Sequence, residues 1–109
     1  MQYMLLMAEV PDAPVTPPDL DRPTPWIDEM TDRDVDRGGE RLRPPAEART
    51  VRVREGRTLV SHGPYAEVAE QVGGFNLIEA ADLDEAIEVA AKHPSASLGA
   101  IEIRPVWAP

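Results

Sequence analysis

Cysteine is absent from the 109-residue sequence. With it go any disulfide framework, thiol nucleophile or cysteine-ligated zinc site, and the redox compartment is left unmarked. Histidine is nearly as scarce: His62 and His93 stand far apart, neither has carboxylates at recognisable ligand spacing, and no metal centre is expected. Aromatic residues make up 5% of the chain, so the core must be aliphatic. Positive charge is also in deficit, with 11 Lys and Arg against 20 Asp and Glu and a net charge of −9. That field repels phosphate backbones and anionic membrane surfaces, which disfavours direct nucleic-acid or membrane binding. No apolar run is long enough to cross a bilayer. The apolar stretch Tyr3 to Ala8 has neither the basic flank nor the length of a secretory signal, so the expected location is the cytoplasm.

What is present is a hydrophobic fraction of 42% and 12 prolines. These describe one domain over residues 1–109, with stiff loops and a modest core that pairing with a second copy would enlarge. Gln2 to Ala8 reads as a first strand, apolar on both faces and therefore interior to its sheet. Residues 11–25 form a stiff Pro-rich loop that connects elements, covers a site or offers PxxP spacing to a partner. Thr24 as N-cap and Pro25 at the first position open a helix expected to run to about Arg37 and stop at Gly38-Gly39. Trp26, Ile27 and Met30 are its apolar stripe, with Asp34 on the same side and Asp28, Glu29, Asp32 and Asp36 facing solvent. Asp34 is either a buried site carboxylate or a wet-edge partner of Arg37 or Arg41. A short strand at Glu40 to Arg43 follows.

The stretch from Thr50 to Ala80 organises the rest. Val51 and Val53 alternate with Arg52 and Arg54, Glu55-Gly56 is a two-residue turn, and Arg57 to Val60 returns, which predicts a β-hairpin. Val51 then faces Val60 and Val53 faces Thr58, while the three arginines of the other surface face water. Pro64 suits a first helical position, and Tyr65 to Val72 are compatible with two helical turns before Gly73-Gly74. His62 thus falls just outside a helix N-terminus, where unpaired amides and the dipole favour anions and a neutral, base-competent imidazole. The other reading makes His62 a turn residue that caps the helix or bonds the strand end. Gly73 to Ala80 reads as a central strand with Phe75 and Leu77 on one face and Ile78 on the other.

Asp82 with Glu85 three residues on is a capping box for a last helix. Its inner stripe is read as Leu83, Ala86, Ile87, Ala90 and Ala91, its outer face as Asp84, Glu85, Glu88 and Lys92. His93 ends it as a charge-compensating cap, and Ala100 to Arg104 alternates as a closing strand. This is an α+β order: an antiparallel sheet with helices on one face. The bare face predicts a homodimer in which two sheets pack into a barrel-like core.

Tyr3 to Met7, Trp26, Gly39-Glu40-Arg41-Leu42 with Pro44, Thr50 to Val53, His62 to Glu67, Gly73-Gly74-Phe75, Leu77 to Glu79, Leu83 to Ala86 and Glu102 to Val106 together resemble the YCII-related family, specifically its DGPF-domain branch. The resemblance covers nearly the whole chain and implies a ferredoxin-like dimeric α+β barrel. It departs at the naming motif, where Asp-Gly-Pro-Phe is His62-Gly63-Pro64-Tyr65 and the carboxylate becomes an imidazole. The wider barrel superfamily includes isomerases, dehydrochlorinases and monooxygenase-like enzymes, and DGPF proteins are often encoded beside extracytoplasmic-function sigma factors.

Two functions follow as expectations. One is a small cofactor-free enzyme acting on an organic acid, lactone or phenol, with His62 moving a proton and the amides of Tyr65 and Ala66 holding developing charge. Ser61, Glu40, Glu67 and Trp26 are then candidate lining residues. The other is a ligand-binding or regulatory accessory protein, partnered with a sigma factor, whose acidic first helix meets a basic surface.

Overall fold

The computed structural model describes residues 1–9, 24–64 and 71–108. The Pro-rich loop and most of the helix expected after Pro64 lie outside these residues. Along the chain run β1 (Gln2–Glu9), α1 (Thr24–Asp32), β2 (Asp36–Arg41), a 3₁₀ turn (Pro45–Glu47), β3 (Arg49–Arg54), β4 (Arg57–His62), β5 (Gln71–Glu79), α2 (Leu83–Ala91), α3 (Pro94–Leu98) and β6 (Ala100–Pro105). β2, β5, β1 and β6 make one antiparallel sheet in that order, and β3 with β4 makes a separate two-stranded ribbon. Among the described residues no helix is long and apolar enough to cross a membrane.

The period-two rule explains why β1 and β5 are central. Tyr3, Leu5 and Met7 point to one side, where α1, α2 and α3 cover them, and pair in register with Ile78, Asn76 and Gly74. Met4 and Leu6 point the other way, beside Leu77 and Phe75, and are only half-buried. The core therefore lies on the helix side alone, built from Tyr3, Leu5, Met7, Trp26, Met30, Val35, Ile78, Ala80, Ala86, Val89 and Ala90. The opposite face of the sheet carries a half-buried apolar centre.

The first helix is shorter than the sequence suggested. It ends at Asp32 because Asp34 adopts φ 58°, and the amides of Asp34 and Val35 donate to Thr31 O at 3.0 Å and Met30 O at 2.8 Å. This is a Schellman closure, with Val35 and Met30 both buried across it. Asp34 is consequently exposed rather than on the inner stripe, and Arg37 meets its carboxylate at 3.3 Å. Gly38 and Gly39 belong to β2. The β2–β5 register slips between Asp36 and Gly39, where Asp36 Oδ1 accepts from Gly38 N at 3.0 Å and Asn76 Nδ2 at 2.6 Å. A Cβ on Gly39 would collide with Phe75 O and the Asn76 amide, so glycine is required there for close approach rather than for stopping a helix.

A second correction concerns Gln71 and Val72. They begin β5 instead of ending a helix, and Gly73 and Gly74 lie inside the strand. The irregularity between Met7 and Ala8 absorbs Gly73, whose carbonyl accepts from Leu42 N at 2.8 Å.

α2 is capped as expected, with Asp82 Oδ1 accepting from Glu85 N at 2.8 Å. The Glu85 carboxylate reaches back to Ala81 N at 3.1 Å. Its buried line is Ala86, Val89 and Ala90, so Leu83 and Ile87 are half exposed and the inner stripe is rotated from the one read in the sequence. Ala86 and Ala90 are small, and Val89 is the one larger side chain on that line, fully buried against the core.

Candidate functional site at the hairpin base

Glu55 and Gly56 both have positive φ, 52° and 75°, the signature of a type I′ turn whose twist matches the flanking strands. That turn fixes the register: Val53 faces Thr58, Val51 faces Val60, and at the open end Arg49 faces His62. The base is closed by Gly63 N donating to Ala48 O at 2.9 Å and by Thr50 Oγ1 donating to Gly63 O at 2.9 Å. Gly63 takes φ 99°, where an L side chain is strained. The chain therefore turns sharply just after His62, and the imidazole is left exposed at the strand end.

Alternation along β3 and β4 sorts the side chains. Arg49, Val51, Val53, Thr58, Val60 and His62 share one face; Thr50, Arg52, Arg54, Arg57, Leu59 and Ser61 share the other. His62 and Ser61 thus point to opposite sides. Arg49 is the residue that sequence reasoning overlooked. The signal was available, because extending the Val51–Val60 pairing by two residues brings Arg49 against His62. Its guanidinium donates to Ala48 O at 2.8 Å, which holds it at the base of the ribbon. A cation and an imidazole at facing positions on one face can seat a carboxylate or phenolate and exchange a proton with it.

Of the other candidates, Glu40 lies in β2 directly across from Phe75, exposed on the helix-free face of the main sheet. Trp26 is on the opposite side of that sheet, 4% exposed, with Nε1 donating to Val89 O at 2.9 Å. Glu40 and Trp26 are therefore not brought together. Tyr65, Ala66 and Glu67 lie outside the described residues. Among the described residues no group of three or more His, Asp and Glu is placed to hold a metal ion.

The second histidine corrects an expectation. His93 is not a charge-compensating cap for α2: it is buried, its ring meets Trp26 edge-on at 4.9 Å, and Nδ1 accepts from Ser95 N at 3.0 Å. It is the N-cap of α3, a role that requires an unprotonated nitrogen. Burial pushes its pKa down to about 4. Nearby, the Glu29 carboxyl is held below its ordinary value first by Lys92 at 2.8 Å and then by Arg33 at 3.1 Å. Arg33 also pairs with Glu88 at 3.0 Å, which ties α1 to α2 across their exposed edges.

A β-α-β-β-α-β core with strand order β2-β5-β1-β6, helices on one face and a hairpin inserted before β5 defines a ferredoxin-like α+β protein. The match to known proteins is consistent with that class. The chain belongs to the YCII-related family, whose domain model matches residues 1–108. It is 46% identical over 68 residues, 61% of this chain, to an uncharacterized protein of Rhizobium meliloti (strain 1021). The matched region covers 55% of that relative's length.

Proposed function

We propose that this YCII-related protein is a small enzyme that needs no cofactor and moves a proton on a small organic acid, lactone or phenol, with His62 as acid and base. The observation that carries the reading is the Arg49–His62 pair on one face of the hairpin base. Arg49 would hold the anionic oxygen of the substrate or of its enolate-like intermediate. His62 would take and return the proton, its placement fixed by the Gly63 turn. The reading includes a homodimer: the helix-free face of the sheet presents Met4, Leu6, Phe75 and Leu77, and a second copy would cover them.

The test is a thermal-shift screen of small carboxylates, lactones and phenols against the wild type, Arg49→Gln and His62→Ala. Carboxylates and phenols should raise Tm in the wild type, do so less in Arg49→Gln, and be turned over only where His62 is intact. The loss expected in His62→Ala is about 10²-fold or more in kcat, the usual contribution of a general base. Hits indifferent to both residues would sink the proposal. They would favour a regulatory role in which the exposed Asp28 and Asp32 of α1 meet a basic partner such as a sigma factor.

A further inference from the structure

One face of the β3–β4 ribbon changes character along its length. The two-residue turn makes Arg54 and Arg57 a hydrogen-bonded pair, so Arg49–His62, Val51–Val60 and Val53–Thr58 are the non-hydrogen-bonded pairs, whose side chains stand closest together. Each pair is a layer across the ribbon, and successive layers lie ~7 Å apart, two residues of strand rise. The layer at the base holds the cation and the imidazole, the next holds two valines, and the third holds Val53 and Thr58. All three are open: Val51 and Val53 are each 60% exposed, Val60 is 58% exposed, and Arg49, Thr58 and His62 are exposed as well. A two-stranded ribbon is marginal in water unless a face is covered, yet β3 and β4 pack chiefly on each other.

The chemistry of this face selects what covers it. Glu55, the one acid between Arg49 and His62 in the sequence, occupies the turn, at the end remote from Arg49. The three layers therefore carry a cation at one end and no carboxylate. Three valines fall well short of the ~800 Å² per partner of a specific protein interface, so this face by itself does not hold a protein. A cation at one end and a narrow apolar track leading away from it match a single amphipathic anion. The opposite face offers no such track, since Arg52, Arg54 and Arg57 surround Leu59 there. We infer that the hairpin face binds a carboxylate with an unbranched apolar tail, its head between Arg49 and His62 and its tail running over Val51 and Val60 toward Val53. The inference rests on the Arg49–His62 reading above and narrows its substrate class from small organic acids at large to acids with a tail.

The test is a series of straight-chain carboxylates, acetate, butanoate, hexanoate and octanoate, each titrated calorimetrically below its micellar concentration. Affinity should rise about fourfold with every added pair of methylenes, half the full transfer free energy, because a flat ribbon covers a tail on one side only. Arg49→Gln should weaken every member by about tenfold and leave the rise intact. Val51→Thr with Val60→Thr keeps the β-branched shape while adding hydroxyls, and should cut the rise to less than about twofold per pair. Acetate, which has no tail, reports in the same variant whether the base of the ribbon is still formed. Acetate bound through Arg49 with no rise along the series overturns the tail track and leaves the Arg49–His62 reading standing. A rise that the threonine variant does not change overturns the track as well, since the tail then lies elsewhere. Binding indifferent to Arg49→Gln, or no binding by any member, overturns both. Uptake of phosphatidylglycerol vesicles by a protein that ignores monomeric octanoate overturns the free acid as occupant and marks the face as a lipid contact.

Discussion

His93 shows how one buried side chain sets a pH dependence. Its folded pKa of about 4 lies below the ordinary 6.5. Above pH 6.5 the imidazole is neutral in both states, and its packing on Trp26 and its bond to Ser95 N contribute in full. As pH falls from 6.5 toward 4 the unfolded chain takes up a proton that the native one refuses, so stability declines; below 4 both are protonated and the loss stops. The effect is about 2 kcal/mol, taken below the full linkage value because the ring keeps some solvent contact. His93→Asn preserves an N-cap without titrating. Urea unfolding at pH 7.5 and 4.5 should show the wild type losing about 2 kcal/mol more than His93→Asn, and equal losses would remove His93 as the cause. The Gly39 contact is the other decisive residue-scale feature, since backbone and amide atoms of β5 occupy the space a side chain would need.

At the scale of elements, local chemistry chose the turns and tertiary packing chose the faces. The hairpin register was legible because a two-residue turn leaves one solution once Val51 and Val53 alternate. Glu55 is a poor occupant of that turn, holding φ 52° where asparagine is favoured. Glu55→Asn should therefore tighten the ribbon by about 0.5–1 kcal/mol. The readout is hydrogen exchange of the Arg52 and Leu59 amides, which face each other across the ribbon and should slow; unchanged exchange would mean the turn does not limit opening. The end of α1 was less legible. Asp34 fits a 3.6-residue stripe as well as it fits a C-terminal left-handed position, and the periodicity argument could not separate them. Val35 decided it, because only the Schellman turn sends that side chain into the core over Met30.

The whole molecule is a slab, with principal extents of 47 × 39 × 18 Å. One helical layer on one sheet accounts for the short dimension, and a sheet apolar on both sides has half of its apolar surface outside the core. Phe75 lies on that outer side, so Phe75→Glu should leave the helix-side core folded while abolishing the proposed dimer. Sedimentation equilibrium and far-ultraviolet circular dichroism test this together; a variant that still dimerises would remove the sheet face from the interface. The acidic balance acts at this scale too, since a chain of −9 associates with itself only if apolar area or a locally basic element offsets the repulsion.

The sequence by itself determined the order of the strands and of α1 and α2, the hairpin register, the capping of α2 and the two-faced character of β1 and β5, but not α3. Each of these rests on interactions between near neighbours or on a two-residue period. Tertiary structure decided what those rules leave degenerate. It turned Gly73 and Gly74 from a helix stop into the middle of a central strand, because pairing with β1 and β2 outweighs the local breaking tendency of glycine. It rotated α2 so that Ala86, Val89 and Ala90 are buried against the core, where the small side chains of Ala86 and Ala90 permit close packing. It placed Trp26 and Glu40 on opposite sides of one sheet, whereas Arg49 faces His62 through the hairpin register alone. Long-range pairing determines which residues of distant elements share a face.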